Sequence, residues 1–130
     1  MKKINSLLIV DDDQISNLLT SMLFSDLYAH THIRISENGK QALEEIKDCL
    51  EKQHNCPDVI FLDVEMPIMD GFEFLDKLEE LNKNDLPIVL LTSSVHARNQ
   101  TKASKYRIKA LVEKPLTEEK IENVLFQLAN

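Results

Sequence analysis

The sequence predicts an α/β fold: a doubly wound, mostly parallel five-stranded sheet with helices on both faces. Three observations predict it. Short apolar runs rich in Val, Ile and Leu recur along the chain, too short for helices and suited to buried strands. Between them lie segments whose apolar residues repeat at helical spacing. The two kinds alternate over 130 residues, a pattern that calls for right-handed crossovers and one parallel sheet.

The strands come first in each unit. Ser6–Val10, VIFL at 59–62, PIVLL at 87–91 and ALV at 110–112 read as buried parallel strands. THIRIS at 31–36 differs, because Ile33 and Ile35 alternate with polar residues, as on an edge strand with one exposed face. Ile15, Leu18, Leu19, Met22 and Leu23 form the apolar stripe of a first helix, and Ala42, Leu43, Ile46 and Leu50 that of a second. Phe72, Leu75, Leu78 and Leu81 define a third. Ile121, Val124, Leu125 and Leu128 define a fifth, starting at Thr117 as N-cap with Glu118 and Glu119 at its positive end. The segment 97–107 is polar, with only Ala103 and Tyr106 as core contacts, so its fourth helix is short and loosely held.

Length and composition fit one domain over residues 1–130, with 43% apolar and 28% charged residues. No apolar run reaches the roughly 20 residues that span a bilayer. The N-terminal MKKINSLLIV runs into Asp11-Asp12-Asp13 rather than a small-residue cleavage site, so the mature chain is expected to begin at or near Met1 and to be cytoplasmic. A net charge of −7, without a dense Lys/Arg face, disfavours direct nucleic-acid binding. Cys49 and Cys56 could pair, or with His54 offer part of a metal site, but an intracellular reading keeps them reduced as packing residues and no fourth metal ligand is apparent.

In a parallel sheet every strand delivers its C-terminal end to one edge, where chemistry collects. There the sequence places Asp11, Asp12 and Asp13, then Asp63, Thr92, and Lys114 followed by Pro115. Clustered carboxylates raise one another's pKa unless a cation compensates, and hard oxygen ligands suit Mg²⁺. Lys114 and Thr92 add the positive charge and hydroxyl donor wanted around a transferring phosphoryl oxygen. Asp13 is equally suited to capping the first helix.

Through VDDD at 10–13, LDVEMPIMDG at 62–71, LTSS at 91–94 and EKP at 113–115, the chain resembles the receiver domain of bacterial two-component response regulators. The resemblance covers essentially the whole chain and implies a flavodoxin-like strand order 2-1-3-4-5. It makes Asp63 the phosphoacceptor, Asp12 a direct Mg²⁺ ligand with Asp63 and the backbone carbonyl of Glu65, and Asp11 a ligand through water. Lys114 would pair with the acceptor, Thr92 would be the switch hydroxyl, and Pro115 would follow a cis peptide bond. The implied donor is a histidine kinase or phosphotransfer protein. The implied output surface is the fourth helix, fifth strand and fifth helix, acting on a downstream protein as a monomer or a phosphorylation-dependent dimer. Such a domain assists its own phosphorylation and dephosphorylation without being an enzyme.

Leu111 stands where that family often has an aromatic switch residue, and Tyr106 lies nearby but out of register. Glu65 and Ser94 hold positions that in such domains tune the phosphoryl lifetime. Because the chain stops at Asn130, directly after the fifth helix, it is expected to act by contact. Two alternatives stay open: a non-phosphorylated receiver-like interaction module, and a haloacid-dehalogenase-like phosphohydrolase with Asp11 as nucleophile and Asp13 as acid/base. A dinucleotide-binding domain is set aside, since only two glycines occur and no glycine-rich loop follows the first strand.

Overall fold

The computed structural model describes residues 4–81 and 85–129; Met1 and Asn130, on which the expectations for the chain ends fall, lie outside them. Strands and helices alternate in the order β1 (Ser6–Val10), α1 (Gln14–Leu27), β2 (His32–Ser36), α2 (Gly39–Lys52), β3 (Val59–Asp63), α3 (Gly71–Glu80), β4 (Ile88–Thr92), α4 (Ala97–Ala103), β5 (Ala110–Glu113) and α5 (Glu118–Ala129). The strands form one parallel sheet in the order β2-β1-β3-β4-β5. Fold class and strand order are those expected.

Period-two alternation along the three central strands splits the interior in two. Leu8, Val10, Ile60, Leu62 and Leu90 face α2 and α3, packing on Ala42, Ile46, Phe72, Leu75 and Leu78. Leu7, Ile9, Phe61, Val89 and Leu91 face α1 and α5, packing on Phe24, Ile121, Val124 and Leu125. Helices on both faces are what make these strands apolar throughout rather than alternating. The register then fixes the functional edge. Val10 pairs with Leu62, Asp63 with Leu91 and Thr92 with Glu113, so Asp11, Asp63, Thr92 and Lys114 finish at the same end of the sheet.

Four local expectations need correction. The predicted stripe of α1 faces outward: Ile15, Leu18, Leu19 and Met22 are 71%, 60%, 52% and 53% exposed, and Leu23 alone of that set packs on the core. The inward row is Asn17, Thr20 and Phe24. Asn17 Nδ2 donates to the Asp11 carbonyl (2.9 Å), and Phe24 sits edge-on to Phe61 with centroids 5.6 Å apart. A tethered amide and one aromatic ring decide how the helix is rotated.

β5 is a second edge strand, half-buried rather than buried, because nothing pairs beyond it in the sheet. On the opposite edge, Ile33 of β2 packs on the core while Ile35 is exposed. Cys49 and Cys56 are joined in a disulfide with Cα atoms 5.2 Å apart. Gln53 and Asn55 adopt left-handed φ values of 52° and 63°, reversing the chain after α2 so that Cys56 returns to the helix end. Finally, Asp63 and Thr92 are the last residues of their strands rather than the first beyond them. α4 is as sparsely anchored as expected, burying only Ala103.

Candidate functional site

The first carboxylate is set by the turn after β1. The Asp11 N–H donates to the Ser36 carbonyl (3.1 Å), and Asp11 Oδ1 accepts the Asp13 N–H (2.9 Å). Asp13 caps α1, accepting from the Ile15 and Ser16 N–H groups. The loop after β3 is equally constrained. Gly71 passes so close to it that a Cβ there would lie 2.7 Å from the Asp63 carbonyl oxygen and 3.0 Å from Val64 Cα, a contact real side chains do not make. Asp70 and Glu73 close a capping box on α3. Between these anchors Ile68 is fully exposed at a φ of 72°, a costly conformation for a β-branched residue.

Asp11 and Asp63 are only 1% and 4% exposed. Lys114 Nζ donates to Asp11 Oδ2 at 2.6 Å and lies 3.3 Å from Asp63 Oδ2. Lys114 therefore pairs more closely with Asp11 than with the expected acceptor. Burial works against its ammonium, yet the Asp11 hydrogen bond and the Asp63 and Asp11 charges outweigh that and raise its pKa. Burial, then the Asp11 charge, push Asp63 up to about 7, against the opposing pull of Lys114. One cation serves two buried carboxylates.

Exposed Asp12 completes the group: one carboxylate oxygen each from Asp11, Asp12 and Asp63 lie within 4.8 Å of one another. Three hard oxygen donors and a net negative charge fit a divalent cation of the Mg²⁺ type. The Glu65 N–H donates to Asp63 Oδ1 (3.2 Å), placing that residue's backbone beside the cluster.

Asp11, Asp12, Asp63 and Lys114 thus converge, while Thr92 is engaged elsewhere. Its hydroxyl lies 2.9 Å from Glu65 Oε2 and 2.9 Å from the Ser94 carbonyl, and accepts from Ser94 N–H (3.1 Å) and Asn99 Nδ2 (3.2 Å). Ser93 and Asn99 are the members that sequence reasoning missed, and Glu65, whose side chain is expected only to tune the phosphoryl lifetime, bridges to the turn after β4. The signal was a run of hydroxyls after β4 facing an acid two residues past Asp63. Burial alone would raise the Glu65 pKa; hydrogen bonds from Ser93 and Thr92, with the Lys114 charge, overcome this and lower it.

Leu111 packs half-buried against the α2/α3 core. Tyr106 stacks on Phe72 with centroids 5.9 Å apart, and its hydroxyl donates to Asp76 (2.6 Å). That tether joins the end of α4 to α3. The Lys114-Pro115 bond is cis.

Buried carboxylates and a lysine gathered at the strand ends of a doubly wound domain suit a phosphoacceptor signalling switch, and the family match places the chain in that class. The chain is a member of the response regulator receiver domain family, matched over residues 7–126. Receiver domains bind Mg²⁺ at an acidic cluster, and Asp11, Asp12 and Asp63 form such a group here. The chain is 40% identical over 88 residues to a protein-glutamate methylesterase/protein-glutamine glutaminase of Halalkalibacterium halodurans, covering 67% of this chain and 23% of that protein. It thus spans about a quarter of the length of the curated relatives it matches. A two-component response regulator from Cytophaga hutchinsonii superimposes with a TM-score of 0.87 at 28% identity, covering 99% of both chains. A chemotaxis protein of Vibrio cholerae shares the fold at a TM-score of 0.81 and 24% identity, covering 96% of this chain and 98% of that one.

Proposed function

We propose that Asp63 is the phosphoacceptor, taking a phosphoryl group from a phosphohistidine of a sensor histidine kinase or phosphotransfer protein in the cytoplasm. The observation that carries this reading is the site's charge balance: two buried carboxylates share one lysine, with the exposed Asp12 carboxylate beside them. Asp63 holds its partners loosely, at 3.2 and 3.3 Å. Asp11, the nucleophile of the dehalogenase-like alternative, has both oxygens engaged at 2.6 and 2.9 Å.

An Asp63 oxygen attacks phosphorus as the phosphorus–nitrogen bond to imidazole breaks. The electron pair leaves with the imidazole nitrogen, and an acyl phosphate remains on Asp63. Asp12 and Asp63, with the Glu65 carbonyl and, through water, Asp11, would hold Mg²⁺, whose charge neutralises that developing on the phosphoryl oxygens. Lys114 adds the second positive charge and keeps Asp11 in place. The added dianion recruits the Thr92 hydroxyl and shifts the segment leading to α4, altering the α4, β5 and α5 surface read by a downstream protein. The exposed Ile15, Leu18, Leu19 and Met22, with Ile68, offer the donor an apolar seat; Ile15 and Leu19 line the same groove as Lys114.

Phosphorylation followed by borohydride reduction and peptide mapping tests the assignment. The expected product is homoserine in place of Asp63. Homoserine in place of Asp11 overturns it, and no reducible site under any donor leaves the interaction-module alternative standing.

A further inference from the structure

The Glu65 carboxylate bridges two loops instead of facing the cation cluster. From the turn after β3 it reaches the turn after β4, where Oε1 accepts the Ser93 N–H at 2.7 Å and the Ser93 hydroxyl at 2.6 Å. The Thr92 hydroxyl approaches the same carboxylate at 2.9 and 3.1 Å. A threonine hydroxyl has one proton and two lone pairs. Both lone pairs of Thr92 are taken, by Ser94 N–H and Asn99 Nδ2. Its proton has two acceptors within reach, the neutral Ser94 carbonyl and the charged carboxylate, and the charged one binds it more strongly.

Thr92 is fully buried, so no water can stand in for these partners. The hydroxyl expected to greet a phosphoryl group is therefore saturated before any phosphoryl arrives.

We propose that Glu65 is a positioning residue, a resting-state latch: its carboxylate occupies the Thr92 hydroxyl and both Ser93 donors, and a phosphoryl group on Asp63 must displace it to recruit the Thr92 hydroxyl and the Ser93 N–H. The inference rests on reading Asp63 as the acceptor. Carboxylate and phosphoryl dianion are both acceptor-only anions, and like charges two residues apart repel. Phosphorylation thus supplies both the competitor for the donors and the force that swings the carboxylate away. The segment from Ser93 to Asn99 is then released from β3 and re-tied to the phosphoryl group. α4 follows because Ala103 is its one buried residue. Glu65 in this account sets the resting equilibrium of the switch, with no part in the transfer itself.

Two readouts and a double-mutant cycle test the latch. Glu65 is exposed, so Glu65→Ala leaves the core intact. In the metal-free, unphosphorylated protein, Glu65→Ala accelerates amide hydrogen exchange at Ser93 and Ser94 by about tenfold or more, as a local opening without its hydrogen bonds requires. Unchanged exchange overturns the latch. In the presence of Mg²⁺ the probe is beryllofluoride, a phosphoryl mimic, whose affinity rises about tenfold in Glu65→Ala, the worth of one charge-assisted hydrogen bond.

Removing a negative charge alone also tightens an anion, so the neutral change Ser93→Ala separates the two causes. It loosens the latch and raises beryllofluoride affinity several-fold when Glu65 is present, and has no such effect in the Glu65→Ala background. An equal effect of Ser93→Ala in both backgrounds overturns the proposal. Absence of beryllofluoride binding by the wild type is a failure of the acceptor reading, and the exchange measurement then decides the latch by itself.

Discussion

Replacing Asp63 by Asn should make the metal-free protein more stable at neutral pH, although it destroys the acceptor. The carboxyl is held at about 7 against an ordinary 3.8, first by burial and then by Asp11. At 1.36 kcal/mol per pH unit that gap corresponds to about 4 kcal/mol of ionisation cost in the folded state. An amide has no ionisation to suffer, keeps an acceptor oxygen for the Glu65 N–H, and gives up the Lys114 contact. Roughly half the cost, about 2 kcal/mol, should therefore be recovered.

For a chain of this size that is a rise in Tm of about 8 °C. The pH dependence has a definite sign. The folded protein retains a proton that the unfolded chain releases near pH 3.8, so this site's contribution is intact at pH 4 and lost as pH rises towards 7 and above. The Tm difference between Asp63→Asn and wild type should be near zero at pH 4 and full at pH 8, measured by calorimetry in chelator. A variant no more stable than wild type at pH 8, or a difference independent of pH, would refute the electrostatic account.

The orientation of α1 predicts that Phe24→Ala costs about 3–4 kcal/mol, whereas Leu18→Lys changes stability by less than about 0.5 kcal/mol yet slows phosphotransfer from a histidine donor; denaturant melts and transfer rates separate the two. Mg²⁺ should raise the melting temperature of the wild type and bind at least about tenfold more weakly to Asp12→Ala, as titration calorimetry can show. Reduction of Cys49–Cys56, which closes a loop of sequence separation 7, should cost about 2 kcal/mol in the loop-entropy estimate and leave the sheet folded, seen as a lower Tm with an unchanged far-ultraviolet spectrum.

Much of the fold was legible because the central strands are covered on both faces, which turns VIFL and its counterparts into unbroken apolar runs. The edge defeated the same logic: ALV reads as buried, but β5 has a neighbour on one side only. Helical periodicity found α1 and misjudged its rotation. Ile15, Leu18, Leu19 and Met22 make the stronger stripe in hydropathy, yet Asn17 is inward because its amide satisfies the Asp11 carbonyl, a long-distance fact no local window contains.

The four site residues Asp11, Asp12, Asp63 and Lys114 were visible as strand-end residues brought to one edge by topology. The closer pairing of Lys114 with Asp11, the Glu65 bridge to Ser93 and Thr92, and the disulfide depend on side-chain reach across loops. The left-handed turns at Gln53 and Asn55 that return Cys56 to α2 carry no glycine to announce them.

The most direct test of the central claim is intact-mass spectrometry after incubation with Mg²⁺ and acetyl phosphate, on wild type and Asp63→Asn in parallel. A single phosphoryl adduct on wild type and none on the variant is the predicted result. An adduct of equal yield on both proteins would contradict the assignment of Asp63.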